Sequence, residues 1–146
     1  MPKFGDKNES VTIQEDDANS RGYCEIKAES YMDDPVVGWL VVVKGKGQGC
    51  FVRLGYGTNS IGRSNANRVS LNFGDKEISL ERHIVLTYDT RQREFFIQQG
   101  KGKTQAYVNG FPLSQSTILE DRSTIDLGET RLKLVTLCGP SFDWLN

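Results

Sequence analysis

The sequence is poor in the residues most chemistry needs: one histidine, three cysteines and four prolines among 146 residues. No zinc ligand set can be drawn from His83 and the scattered Cys24, Cys50 and Cys138, so no metal site is expected. The three cysteines cannot all pair with one another, and none lies in a C-x-x-C. The opening MPKFGDKNES carries no apolar core of a secretory signal. Together these features predict reduced, mostly buried thiols and a cytoplasmic location. Long hydrophobic runs are absent too. The longest, Val36 to Val43, is far short of the roughly 20 residues a membrane helix needs. No stretch of ten or more residues holds a 3.6-residue period, so helices are not expected.

Net charge of either sign is nearly absent: the total is −1 from 18 Lys+Arg against 19 Asp+Glu. The halves differ, however. Residues 1–35 carry 4 basic and 9 acidic groups, net −5, whereas residues 36–146 carry 14 and 10, net +4. Such asymmetry speaks to partners rather than to fold. The polar, acidic stretch around Glu15-Asp16-Asp17 cannot bury enough surface to fold alone, and Pro35 makes a natural boundary. The expected organisation is an arm over 1–35 and a domain over 36–146. Within the arm, the segment 23–31, which opens on Tyr23-Cys24-Glu25-Ile26-Lys27, can add a strand or dock on the domain, and the sequence does not settle which.

Glycine is what the domain has in quantity: 13 of the 15 glycines lie after residue 35. Between them sit short runs of β-branched and aromatic residues. Strands are predicted at 37–43, 50–54, 59–62, 69–73, 84–89, 94–99, 105–108, 113–119, 123–127 and 130–137. Period-2 alternation supports several, as in Thr124-Ile125-Asp126-Leu127 and Arg131-Leu132-Lys133-Leu134. Asn109-Gly110 after an apolar run is a hairpin signal, since both residues tolerate positive φ. Many short strands at this spacing indicate an all-β, antiparallel sandwich.

Two motifs imitate catalytic or nucleotide sites. Gly100-Lys101-Gly102-Lys103-Thr104 ends like a phosphate loop, but Ile97 stands where the first glycine belongs and no helix follows. Ser79 and His83 resemble a nucleophile and base, yet no third orienting group or oxyanion hole accompanies them. A non-enzymatic, cofactor-free protein is expected. The more informative series is Ser60-Ile61-Gly62-Arg63-Ser64, Asn67-Arg68-Val69-Ser70-Leu71, Ile78-Ser79-Leu80-Glu81-Arg82-His83 and Tyr107-Val108-Asn109-Gly110. An arginine just after a strand-ending glycine sits at a sheet rim, where its planar fork can hold an oxyanion. Arg82, Lys101 and Lys103 add charge on loops that can share that rim.

This series resembles the forkhead-associated (FHA) domain family across about 37–145, from Gly38-Trp39-Leu40 to the closing Leu127-Gly128. The resemblance implies a sandwich of about eleven strands (FHA/SMAD-like) whose loops bind a phosphothreonine peptide in bacterial-type signalling. By match of position, Arg63 is the phosphate-contacting arginine and Ser79 the serine whose hydroxyl joins it. His83 braces the loop, Gly62 is loop-structural, Asn109 and Gly110 shape the last binding loop, and Asn67 leads into the next strand. The sequence departs from the family twice. Ser79 is followed by Leu80 and His83 comes one residue late, so Arg82 is the replacement for the missing arginine. Thr104, within Lys103-Thr104-Gln105-Ala106, stands where the family has a peptide-gripping asparagine.

The partner so implied is a threonine-phosphorylated protein, with no nucleic acid and no membrane. The protein's own arm is a second candidate partner: Thr12 precedes acidic Glu15, and its phosphorylation would add about −1.5 to −2 charge. The alternative function is a phosphorylation-independent adaptor on the same fold, with a degenerate peptide site. A nucleic-acid or carbohydrate binder is the weaker third reading, because the cations are dispersed and no aromatic ladder is evident.

Overall fold

A computed structural model of the chain describes residues 34–145. They form eleven strands and no helix: β1 (Gly38–Lys44), β2 (Phe51–Leu54), β3 (Gly57–Gly62), β4 (Val69–Ser70), β5 (Ile84–Asp89), β6 (Glu94–Gln99), β7 (Tyr107–Val108), β8 (Phe111–Pro112), β9 (Thr117–Leu119), β10 (Thr124–Leu127) and β11 (Thr130–Thr136). One sheet has six strands in the order β2-β1-β11-β10-β7-β8; the other has five in the order β4-β3-β5-β6-β9.

Alternation builds the core. In β5, Ile84, Leu86 and Tyr88 turn inward while Val85, Thr87 and Asp89 stay half-buried. In β1, Leu40 and Val42 are buried between Trp39 and Val41 on the opposite face. Register then brings inward residues level: Leu40 pairs with Leu134, and Ile125 with Leu132. Fully burying side chains of this size contributes about 1.5–3 kcal/mol each before entropy is charged against it. A register slip of one residue would expose the whole set, which makes the pairing specific.

Three features differ from the sequence reading. The stretch 113–119 forms a strand only at Thr117–Leu119, 105–108 only at Tyr107–Val108, and 69–73 only at Val69–Ser70. Phe111–Pro112 was not anticipated as a strand; it pairs with Tyr107–Val108 across the Asn109-Gly110 turn. The third is β3 with β4, the one parallel pair, with Ile61 level with Val69. Proline is tolerated in β8 because that strand lies at the sheet edge, where a missing N–H is harmless.

The cysteines also require a correction. Cys138 is a free, buried thiol, but Cys50 is disulfide-bonded. Three cysteines cannot all pair, yet the odd number leaves room for one bridge.

Buried polar residues set the loops. At the end where β3 begins and β5 ends, Asn59 accepts from Gly55 N–H and donates to the Gly55 and Leu86 carbonyls. The Asp143 carboxylate there accepts from Tyr88 at 2.7 Å, from Tyr56 at 3.3 Å and from Leu145 N–H at 2.7 Å. At the opposite end, buried Asp75 accepts from Glu77 N–H, Glu129 N–H and the Thr130 hydroxyl. That ties the loop following β4 to the β10–β11 turn, and so fixes the approach to Ser79.

Candidate functional site

Residues 62–64 leave β3 at the sheet rim and pair with the loop at 78–80. Arg63 N–H donates to the Ser79 carbonyl at 2.9 Å, and Ser64 N–H to the Leu80 carbonyl at 2.9 Å. The Arg63 side chain is half-buried, with Nε held by the Ile78 carbonyl. Its terminal nitrogens make no hydrogen bond or ion pair among the described residues. Anchored at Nε and open at the tip, the guanidinium presents a pre-set fork toward solvent. The Ser79 hydroxyl is half-buried and likewise without a bond among the described residues.

His83, wholly buried, is the hub behind this pair. Its Nδ1 accepts from Ser79 N–H at 2.9 Å, which puts the ring proton on Nε2, 2.8 Å from the Thr104 carbonyl. Both ring nitrogens are therefore occupied with backbone, and the imidazole joins the Ser79 loop to the 100–104 loop. A general base needs a nitrogen within reach of its proton donor. Here the Ser79 hydroxyl is not His83's partner, so the brace expected from the sequence fits the geometry and the nucleophile pair does not.

The extra residue between Ser79 and His83 is absorbed at Arg82, whose φ of 43° is left-handed. Few non-glycine residues adopt that conformation, and it costs roughly 1–2 kcal/mol. Asn67 stabilises it: its Oδ1 accepts from Arg82 N–H at 2.9 Å, and its Nδ2 donates to the Leu80 and Ser64 carbonyls. The Arg82 side chain is exposed and has no partner among the described residues. Leu80, where the family has arginine, is 56% exposed at the same rim.

The glycines that imitate a phosphate loop have a different purpose. A Cβ on Gly100 would lie 2.0 Å from the Arg82 carbonyl oxygen, and one on Gly102 would lie 2.4 Å from the His83 ring. They let the 100–104 backbone press onto the hub, where Lys101 N–H bonds the Arg82 carbonyl at 2.6 Å. Lys101 and Lys103 keep exposed side chains. Gly62 is similarly confined: a Cβ there would lie 2.7 Å from Asn67 Nδ2 and 2.7 Å from the Leu80 carbonyl oxygen.

Arg63, Ser79, Arg82, His83 and Thr104 are thus brought together, with Lys103 on the same loop. Asn109 is not joined to them by any bond among the described residues. With Gly110 it forms the β7–β8 turn, both at positive φ, and its Oδ1 accepts from Thr124 N–H at 2.9 Å. That position is at the start of β10, whereas Thr104 lies toward its end. Thr12 falls outside the described residues. Sequence reasoning undervalued Asn67, Gly100 and Gly102 as organisers; the Gly-x-Gly spacing beside the only histidine was their available signal.

The FHA domain family model matches residues 59–128, from Asn59 within β3 to the β10–β11 turn. The chain carries an FHA domain. Solved structures agree. The FHA domain of an Arabidopsis thaliana hypothetical protein is 26% identical with TM-score 0.60, the match covering 74% of this chain and 92% of that one. The FhaA FHA domain, solved in complex with the intracellular domain of Rv3910, is 25% identical with TM-score 0.56, covering 66% and 98%. A third, from work on phosphothreonine-dependent FHA domain interactions, shares the fold at 24% identity and TM-score 0.59, covering 69% and 97%. No curated protein matches the chain. The unpaired guanidinium and hydroxyl lie within the matched residues of the FHA domain.

Proposed function

We propose that the protein is a phosphothreonine-peptide-binding module acting in protein–protein interaction, with the domain over 36–146 and the arm over 1–35. The observation that carries this reading is Arg63: its Nε is anchored on Ile78 while its tip has no partner among the described residues, beside the Ser79 hydroxyl. Charge-assisted bonds to phosphate contribute roughly 1.5–3 kcal/mol each. The phosphate-dependent interactions named for a structural neighbour support the same chemistry here. The protein acts as a binding module rather than an enzyme, and needs no cofactor. Its partner is a threonine-phosphorylated protein; the arm phosphorylated at Thr12 is a second candidate. No helix of the described residues is long and apolar enough to cross a membrane. The disulfide at Cys50 withdraws the thiol argument for a cytoplasmic location.

Titration of a fluorescent phosphothreonine peptide library, with unphosphorylated controls, tests the proposal. Binding should require phosphate and weaken at least about tenfold in Arg63→Ala. Equal affinities for the two protein forms would overturn it. The adaptor reading is kept alive by Leu80 and Thr104, which replace two groups expected to hold the peptide. It requires partner binding to survive phosphatase treatment undiminished.

A further inference from the structure

On the rim that bears Arg63 and Ser79, one side chain stands apart from its polar surroundings. Leu80 is 56% exposed, and it is the only large apolar residue left exposed on the described loops at 63–68, 71–83 and 100–106. Its neighbours in the chain are the half-buried Ser79 and the exposed Glu81 and Arg82. We propose that Leu80 is a specificity-determining residue of the peptide site, selecting an aliphatic side chain close to the phosphothreonine of the ligand. This rests on the phosphopeptide reading above and adds to it the chemistry of a flanking ligand residue.

A single exposed leucine is ordinary on a protein surface. What distinguishes Leu80 is that its backbone is held from both sides. Its carbonyl accepts from Ser64 N–H at 2.9 Å and from Asn67 Nδ2 at 2.7 Å. Before it, the Ser79 carbonyl accepts from Arg63 N–H, and Ser79 N–H donates to His83 Nδ1. After it, Arg82 N–H donates to Asn67 Oδ1, and the Arg82 carbonyl accepts from Lys101 N–H. The bonds that hold Ser79 beside Arg63 thus also fix where the leucine leaves the chain. An apolar group held in advance loses little backbone entropy when a ligand covers it, so more of the gain from its burial appears as affinity.

Chain geometry bounds the ligand position. Leu80 follows Ser79 at about 3.8 Å between Cα atoms, and an extended peptide advances about 3.3 Å per residue. The ligand residue that meets Leu80 therefore lies within about three positions of the phosphothreonine. The chemistry of the loop disfavours charge there. A carboxylate against Leu80 would lose water without gaining a donor from it, and the next residue is Glu81. A basic side chain would meet that acid but also the exposed Arg82 and Lys101, two cations against one anion. An aliphatic side chain meets neither cost.

The test is a phosphothreonine peptide library, randomised over about three positions on each side of the phosphothreonine. It is bound to wild type, Leu80→Ala and Leu80→Arg, with melts confirming that each variant folds. Wild type should enrich leucine, isoleucine, valine or methionine at one flanking position about three- to tenfold over alanine. In Leu80→Ala that enrichment should vanish while phosphate dependence is retained. In Leu80→Arg it should pass to aspartate or glutamate at the same position. Phosphate-dependent binding with no aliphatic position, or with one that persists unchanged in both variants, would overturn the role of Leu80 and leave the phosphopeptide reading standing. Wild-type binding that ignores phosphate, or no binding, would overturn that reading and this inference with it.

Discussion

The two ends of the sandwich solve the same problem, loop closure around a buried polar side chain, with opposite results. At the end bearing Asp143, the charged hub is satisfied internally: two tyrosine hydroxyls and a backbone N–H converge on one carboxylate. At the end bearing His83, the hub is neutral and spends both ring nitrogens on backbone. The cations around it are left over: the Arg63 tip, Arg82, Lys101 and Lys103 have no partner among the described residues. A charged hub closes an end; a neutral hub holds loops in place and leaves charge for a ligand. Held in advance, such a site loses less entropy on binding than one that must first be ordered.

Removing the neutral hub should have the largest effect. His83→Ala opens a cavity and frees the Ser79 N–H and the Thr104 carbonyl together. A loss of about 2–4 kcal/mol in denaturant melts is expected, with peptide affinity falling as well. Full stability in this variant would dissolve the contrast between the ends. Arg63→Ala comes next, and its effect should divide differently. Affinity drops at least about tenfold, while stability moves by no more than the single lost bond to Ile78, about 0.5–1.5 kcal/mol.

At the other end the division should reverse. Tyr88→Phe removes the 2.7 Å bond to Asp143. It should cost about 1.5–2 kcal/mol of stability and leave phosphopeptide affinity unchanged. A change in affinity would show that the ends communicate. The smallest effect is a pH dependence. The Leu145 N–H first, then the Tyr88 hydroxyl, holds the Asp143 carboxyl below its ordinary value. Its folded pKa thus lies below the unfolded value of about 3.9. The stability it adds is present above that unfolded value and is lost as pH falls through the folded one. Asp143→Asn should be less stable at neutral pH and show a shallower loss in acid melts. For Tyr88 the pKa is raised, by burial first and then by the Asp143 bond. Its contribution is complete below about pH 10 and declines as pH rises through the folded value.

The contrast was only half legible in the sequence. Arg63 after Gly62, and Ser79 ahead of His83, stood out because a strand-ending glycine and a lone imidazole are rare local signals. The Asp143 cluster had none: Tyr56, Tyr88 and Asp143 are far apart in the chain, and nothing in their neighbours marks them as partners. Asn109 shows a different limit of local reading. Its Asn-Gly turn was correctly placed from residue chemistry, but the turn lies at the start of β10, away from the Thr104 end. The Gly100–Thr104 run looked like a nucleotide motif until its glycines were seen against Arg82 and His83.

What the sequence by itself determined is local. Alternation with period two set which residues face the core, and turn-forming pairs such as Asn109-Gly110 set where strands reverse, since both depend on neighbouring residues. Only the tertiary structure decided the rest. Those decisions include the parallel pairing of β3 with β4, the left-handed Arg82, and a bridged Cys50 beside a free Cys138. They also include the separation of Thr104 from Asn109 and the neutral hub behind an unpaired arginine. Each depends on groups distant in the chain meeting across closed sheets, and that meeting is a property of register and packing rather than of any short stretch of residues.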